Sequence, residues 1–413
     1  MSKGFNRVAV IGLGYIGLPT AAIIASRGLD VVGVDVSEHA VNTINQGKIH
    51  IVEPDLDMVV QAAVTTGKLK ATLECEAADV FIIAVPTPFK EGHTPDLSYI
   101  HSACKAIAPV IAKGNLVILE STSPVGATEQ VAKWLHELRP DLSNPLSKGA
   151  ESDLFIAHCP ERVLPGRVLE ELVSNDRIIG GISQACSEKA LALYKTFVRG
   201  QCLLTSARTA EMAKLTENAF RDVNIAFANE LSIICDKLKI NVWELISLAN
   251  RHPRVNILSP GPGVGGHCIA VDPWFIVDSA PEEARLIRTA REINDAKPEY
   301  VKQQVSTAAD EFKRPVIGCL GLAFKANIDD LRESPALAIT QDLAAQGIGE
   351  ILAVEPNISA LPKGMSEDIQ LVSLNDALER CNVIVVLVDH DEFKTMPIEV
   401  IKNKIVIDTR GII

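Results

Sequence analysis

Aromatic residues are scarce in this 413-residue chain, at 4% of the total. Hydrophobic residues still reach 47%, so Ala, Val, Ile and Leu must fill the interior. That bias suits parallel sheets covered on both faces by helices. Positive charge is also in short supply, with a net charge of −12. An acidic chain is poorly matched to nucleic acid or to an anionic membrane surface. An anionic small ligand stays open where Arg and Lys converge locally. The nine cysteines form no C-x-x-C pair and no metal-like spacing. They read as thiols of a reducing compartment, with no metal expected. Apolar runs such as Val383–Val388 fall far short of the ~20 residues of a membrane span. Met1–Arg7 leads straight into an expected strand, so no signal peptide is expected. A cytoplasmic location is the expectation.

What is present is a repeating alternation. Val8–Ile11, Val31–Val34, Phe81–Val85, Leu116–Leu119, Phe155–Ala157 and Arg177–Ile179 read as strands separated by helical stretches. Such alternation predicts a doubly wound parallel sheet. Pro140–Ser152 reads as a surface loop. Next, Met212, Leu215, Ala219, Val223, Phe227, Leu231 and Ile234 recur at helical spacing. They predict one helix over Thr209–Lys237, with Thr209 as its N-cap and Glu211 in its first turn. Its length would be about 40 Å at ~1.5 Å per residue. Val242–Ala249 and Glu282–Asn294 continue the helical pattern. Strands return at Val316–Leu320, Glu350–Val354, Val383–Val388 and Lys404–Ile407. Val10-Ile-Gly-Leu-Gly resembles Ile317-Gly-Cys-Leu-Gly, and Phe81-Ile-Ile-Ala-Val resembles Val383-Ile-Val-Val-Leu. The expected fold is α/β: two Rossmann-like doubly wound parallel-sheet domains, 1–206 and 306–413, joined by a helical middle domain, 207–305, with a long central helix.

Gly12-Leu-Gly14-Tyr-Ile-Gly17 follows the strand Val8–Ile11 and opens a helix. The first glycine allows a tight turn, the second a close approach to a pyrophosphate, the third close helix packing. A helix N-terminus then offers its N–H groups to phosphate. The next strand ends in Asp35, at the spacing of a ribose-binding acid. Val36, Ser37 and Glu38 supply no Arg for a 2′-phosphate. NAD is therefore expected over NADP. Thr87, Thr122 and Thr128 follow later strands. They read either as cofactor donors or as turn and cap residues.

Gly261-Pro-Gly-Val-Gly-Gly-His267-Cys268 brings backbone close to whatever lies beside it. On spacing alone Cys268 is either an inert buried thiol or a nucleophile. Lys214, Asn218 and Arg221 share one helix face. That stripe suits solvent or a polar ligand. Glu161-Arg162, Arg251-His-Pro-Arg254, Phe324-Lys325 and Arg332 add charge that together suits a sugar-nucleotide pyrophosphate.

From end to end the chain resembles the UDP-glucose/GDP-mannose dehydrogenase family. The resemblance rests on Val10–Gly17, Val85–Pro88, Ser121–Gly126, Ala210–Leu215, Gly265–Cys268 and Leu331–Pro335. It implies four-electron oxidation of a nucleotide sugar at C6, using two NAD and water. Arg251–Asn256 and Gly261–Trp274 are most similar to the branch acting on UDP-N-acetyl-D-mannosamine, with UDP-N-acetylglucosamine or UDP-glucose as alternatives. The resemblance makes Cys268 the nucleophile, through a thiohemiacetal and a thioester. Lys214 becomes the acid/base and oxyanion residue, aided by Asn218. Glu161 and Asp272 become candidates to hold the hydrolytic water. It assigns Arg162, Val163, Lys214, Asn218, Arg221, His252, Arg254, Gly265, Phe324 and Lys325 to the sugar nucleotide. Gly12, Gly14, Tyr15, Ile16, Gly17, Asp35, Thr87, Thr122, Thr128 and Arg332 go to NAD. A homodimer through the long helix and a place in polysaccharide biosynthesis are implied too. One departure stands out. Val271 occupies a position where UDP-glucose enzymes of the family commonly carry Lys.

Three rivals make different demands. A two-electron hydroxy-acid dehydrogenase would need no Cys268. A cysteine hydrolase would leave the dinucleotide turn without purpose. A non-catalytic NAD sensor would bind the cofactor without turnover.

Overall fold

The computed structural model describes residues 4–163, 166–266 and 268–413. His267, next to Cys268 in the glycine run, lies outside them. The chain divides into two compact units, Met1–Glu217 and Asn218–Ile413.

The first unit is built on eight strands: β1 (Arg7–Ile11), β2 (Asp30–Val34), β3 (Leu69–Thr72), β4 (Val80–Ile83), β5 (Leu116–Leu119), β6 (Phe155–His158), β7 (Arg177–Gly181) and β8 (Cys202–Ser206). Their order is β3-β2-β1-β4-β5-β6-β7-β8. Neighbours run parallel except β6 and β7, which pair antiparallel. The parallel sheet foreseen from the sequence thus turns at one junction. Alternate residues of each central strand enter opposite cores. Val8, Val10, Val80, Ile82, Leu116 and Ile118 face one cluster. Ala9, Ile11, Phe81, Ile83, Val117 and Leu119 face the other. Burial on both faces explains why these strands are apolar throughout.

The second unit repeats the plan with β9 (Val316–Leu320), β10 (Glu350–Val354), β11 (Ile369–Leu371), β12 (Val383–Val386) and β13 (Ile405–Asp408). Its order, β11-β10-β9-β12-β13, matches that of the first five strands of the larger sheet. All its pairs are parallel.

Between the sheets in sequence runs the helix Ala207–Leu238. It starts two residues before the expected Thr209. The Ser206 hydroxyl, not Thr209, accepts at its start, from the Thr209 N–H at 3.2 Å. The helix Val242–Ala249 follows as expected, and Asp272–Ser279 was not foreseen. The helix Arg285–Ala309 extends well past Asn294 and carries Pro298 inside it. Fully buried Arg291 pairs with buried Asp222 on the long helix, which holds these two helices together. The segment Pro140–Ser152 is not all loop: Asn144 caps a short helix, Pro145–Lys148. Among the described residues no helix is long and apolar enough to cross a membrane.

Candidate functional site

The glycine turn of the first unit is shaped by contact. Gly12 has φ +92°, and a Cβ there would lie 2.4 Å from the Ala84 carbonyl oxygen. A Cβ on Gly17 would lie 1.8 Å from the Gly12 carbonyl oxygen. Gly14 differs: no atom lies within 4 Å of where its Cβ would be, so its backbone is open to a ligand. Tyr15 is exposed and Ile16 half-buried. Asp35 accepts the Leu13 N–H at 2.9 Å and the Ser37 N–H at 2.9 Å. A carboxylate has about four acceptor positions, which leaves room for ribose hydroxyls. The turn and its acid therefore fit a dinucleotide.

Thr87 and Thr122 come together beyond β4 and β5, where the Thr87 hydroxyl donates to the Thr122 carbonyl at 2.5 Å. Thr128 does not join them at the surface. It is fully buried, and its hydroxyl and N–H both donate to Glu211, at 2.5 and 2.8 Å. Glu211 also accepts the Gly126 N–H at 2.6 Å. An acid there completes the N-terminus of the helix Ala127–Leu138. The structure thus places Thr128 at a helix N-terminus, bound to Glu211.

Beyond β6, Glu161 is buried and pairs with buried Arg177 at 2.8 Å. The Arg162 guanidinium is engaged by Glu217 at 2.6 Å. Val163 is half-buried and packs on the core. Sequence reasoning missed Glu120 and Arg177. Burial and the neighbouring Glu161 push the Glu120 carboxyl above the ordinary carboxylate range. Its one signal was an acid closing the wholly apolar β5. Lys214 is half-buried on the long helix.

In the second unit, Cys268 is exposed, while the other cysteines are buried or half-buried. Burial pushes the thiols of Cys104 and Cys319 up to about 12, which leaves them inert. The Cys268 carbonyl accepts the Asp272 N–H at 2.9 Å, one turn into the start of the helix Asp272–Ser279. Asp272 is buried, and the Asn218 amide donates to its carboxylate at 2.5 Å. A Cβ on Gly265 would sit 2.6 Å from the Glu333 carbonyl oxygen and 3.2 Å from Phe324 Cβ. Asn218, Asp272, Cys268, Gly265 and Phe324 are thus drawn to one neighbourhood. A small crevice, with a cavity volume of about 20 Å³, adjoins it, lined among others by Gly263, Phe324, Pro335, Val388 and Arg410. It lies beyond the ends of β9 and β12, where the strand order reverses. Ligands of open α/β sheets bind at such points. Arg410, just after β13, pairs there with Asp389 at 2.5 Å.

His252 and Arg254 share an exposed turn, where the Arg254 N–H donates to the His252 ring at 3.3 Å. Arg332 is held by Asp330 at 2.5 Å. Among the described residues no ion pair engages Lys214, Arg221, Arg254 or Lys325.

Comparison with known proteins bears on this directly. The NAD binding domain model of the UDP-glucose/GDP-mannose dehydrogenase family matches residues 6–198. The family's central domain matches 208–296 and its UDP binding domain 318–413. The chain belongs to the UDP-glucose/GDP-mannose dehydrogenase family. It is an NAD-dependent nucleotide-sugar dehydrogenase. An NDP-N-acetyl-D-galactosaminuronic acid dehydrogenase of Ralstonia nicotianae is 65% identical over 407 residues, covering 98% of this chain and 96% of that protein. A UDP-N-acetyl-D-mannosamine dehydrogenase of Campylobacter jejuni is 64% identical over 405 residues, covering 97% and 98%. The solved UDP-D-ManNAc dehydrogenase from Pyrococcus horikoshii is 42% identical with a TM-score of 0.87, over 98% of this chain and 96% of that one. The first glycine turn lies within the residues matched as the NAD binding domain, and the second sheet within, or next to, those matched as the UDP binding domain.

Proposed function

We propose that this dehydrogenase oxidises UDP-N-acetyl-D-mannosamine at C6 to the uronate, consuming two NAD and one water. The observation that carries the reading is Cys268, the exposed cysteine, on a glycine segment packed against Phe324. Bound NAD supplies a hydride acceptor, and two in succession take the four electrons. Lys214 exchanges the proton of the C6 oxygen and steadies its negative charge. Asn218 has a second N–H for the same oxygen. The Cys268 thiolate adds to the C6 aldehyde, forming a C–S bond and a thiohemiacetal. Oxidation of that carbon leaves a thioester. Water then attacks the acyl carbon, the C–S bond breaks, the thiolate leaves, and the carboxylate is released. Asp272 holds the water, since it adjoins Cys268; Glu161, committed to Arg177, is the alternative. Lys325, Arg221, Arg254, Arg162 and His252 serve the nucleotide, and Arg332 the cofactor. The Ralstonia relative supports a second reading, an N-acetylgalactosamine substrate.

The test is NADH release with UDP-N-acetylmannosamine, UDP-N-acetylgalactosamine, UDP-N-acetylglucosamine and UDP-glucose side by side. Two NADH per sugar with the first substrate alone is the expected result. Preference for the second substrate would establish the alternative. Cys268→Ala should lower acid formation on the order of a thousandfold. A variant still making uronate at near-normal rate defeats the covalent scheme.

The same reading includes a three-part chain, 1–206, 207–305 and 306–413, and a homodimer. Phe220, Phe227 and Ile234 are exposed at seven-residue spacing on the long helix, so they share a face. A second copy would cover that face. Phe227→Asp should shift sedimentation from dimer to monomer, and an unchanged monomeric profile in the wild type would refute the dimer.

A further inference from the structure

The second sheet keeps an acid where the first keeps Asp35, and fills it with protein donors. Glu355 follows β10. It accepts the N–H groups of Leu322 at 2.8 Å and Ala323 at 3.0 Å. The Asn357 N–H and side-chain amide donate to it at 3.2 and 3.0 Å. His390 Nε2 lies 3.0 Å from its second oxygen. Nδ1 of His390 accepts the Asn327 N–H at 2.9 Å. The ring thus offers an acceptor at Nδ1 to the loop and a donor at Nε2 to Glu355. Burial alone would raise Glu355, but His390 and the two loop N–H groups bring it down to about 2. It is therefore an anion matched to the Nε2 proton.

These bonds hold both ends of one short segment. Glu355 takes the amides of Leu322 and Ala323, and His390 takes that of Asn327. Phe324 and Lys325 lie between. Asn327 adopts φ +61°, and its side chain exchanges two hydrogen bonds with Asp391, at 2.9 and 3.0 Å. Phe324 reaches the glycines just ahead of Cys268. His390 is 1% exposed, so no ligand reaches the pair itself.

We propose that Glu355 and His390 form a positioning pair that presents Lys325 and Phe324 to the phosphates of the nucleotide sugar. This rests on the reading of Lys325 as a nucleotide contact. Holding the turn in advance spares the ligand the entropy of ordering it.

Three variants separate the two bonds of the ring. His390→Asn keeps an acceptor near Nδ1 for Asn327 and loses the reach to Glu355. His390→Gln keeps the donor to Glu355 and loses the acceptor. His390→Phe loses both. The KM for the nucleotide sugar should rise about five- to tenfold in the first two, the worth of one buried hydrogen bond, and further in the third. The kcat and the KM for NAD should stay within about twofold, which a general loss of structure would not allow. Unchanged sugar KM in folded variants, or equal loss of every parameter, overturns the proposal. Lys325→Ala is the control. If it leaves the sugar KM untouched, the reading of Lys325 fails. If it raises the KM while the His390 variants do not, the pair alone fails. Should the His390 variants not fold, exposed Asp391 carries the test. Asp391→Ala must raise the sugar KM about two- to fivefold, or the pair is not a positioning device.

Discussion

In the first sheet the Gly12 N–H donates to the Val34 carbonyl at 2.8 Å; in the second the Gly321 N–H donates to the Val354 carbonyl at 2.8 Å. Each turn then offers N–H groups to the acid ending the neighbouring strand. Asp35 receives two donors and stays half-exposed. Glu355 receives five and is 4% exposed. One strand order and one turn therefore serve two ends. An acid with open lone pairs can hold a ribose, whereas a saturated one holds only its own loop.

Exchanging the loss between the two acids gives the largest expected effect. Asp35→Ala should raise the KM for NAD roughly ten- to a hundredfold, the worth of one or two charge-assisted hydrogen bonds. Its unfolding midpoint in urea should move little. Glu355→Ala should leave the KM for NAD alone and cost on the order of 3 kcal/mol of stability, since buried donors lose their partner. If the two variants behave alike, the contrast drawn between the acids is wrong.

Acid sharpens the contrast further. The Glu355 carboxyl is held at about 2, below its ordinary 4.5. A depressed carboxyl contributes stability that is fully present above the unfolded value and lost as pH falls through the folded one. The stability gap between wild type and Glu355→Gln should therefore be widest above about pH 5 and shrink by a few kcal/mol toward pH 2. Urea melts across that range would read it. A gap independent of pH would mean that the charge on Glu355 is not what the loop requires.

The smallest effect lies where the sheets agree. Asp30, first in β2, pairs with Lys68 at 2.8 Å, and Glu350, first in β10, pairs with Arg380. Both pairs are exposed, and such pairs contribute little. Lys68→Ala and Arg380→Ala should each change Tm by roughly 2 °C or less.

Strands buried on both faces were legible because their apolar runs are unbroken. β3, β8 and β11 were not, since they alternate or lie exposed: β8 is Cys-Leu-Leu-Thr-Ser with both leucines at the surface. The helix Arg285–Ala309 runs past the expected end at Asn294 and through Pro298, a residue that ordinarily breaks a helix. Packing overrides that signal, with Arg291, Asn294 and Lys297 all buried along it. In the site, Gly12 to Asp35 was legible because one local turn encodes it. The pairing of Glu211 with Thr128, 83 residues apart, had no local trace.

By itself the sequence determined the cofactor turn, the repeated sheets, the cysteine in its glycine segment and, through them, the family. These follow from short-range rules: the period of a strand, the φ angle that only glycine takes easily, the spacing of an acid from a turn. Only the tertiary structure decided which polar groups are spent inside the protein. Thr128 went to a cap, Glu161 to Arg177, and Glu355 to His390. A side chain's chemistry is written in the chain, but whether it faces a ligand depends on which distant donors reach it first.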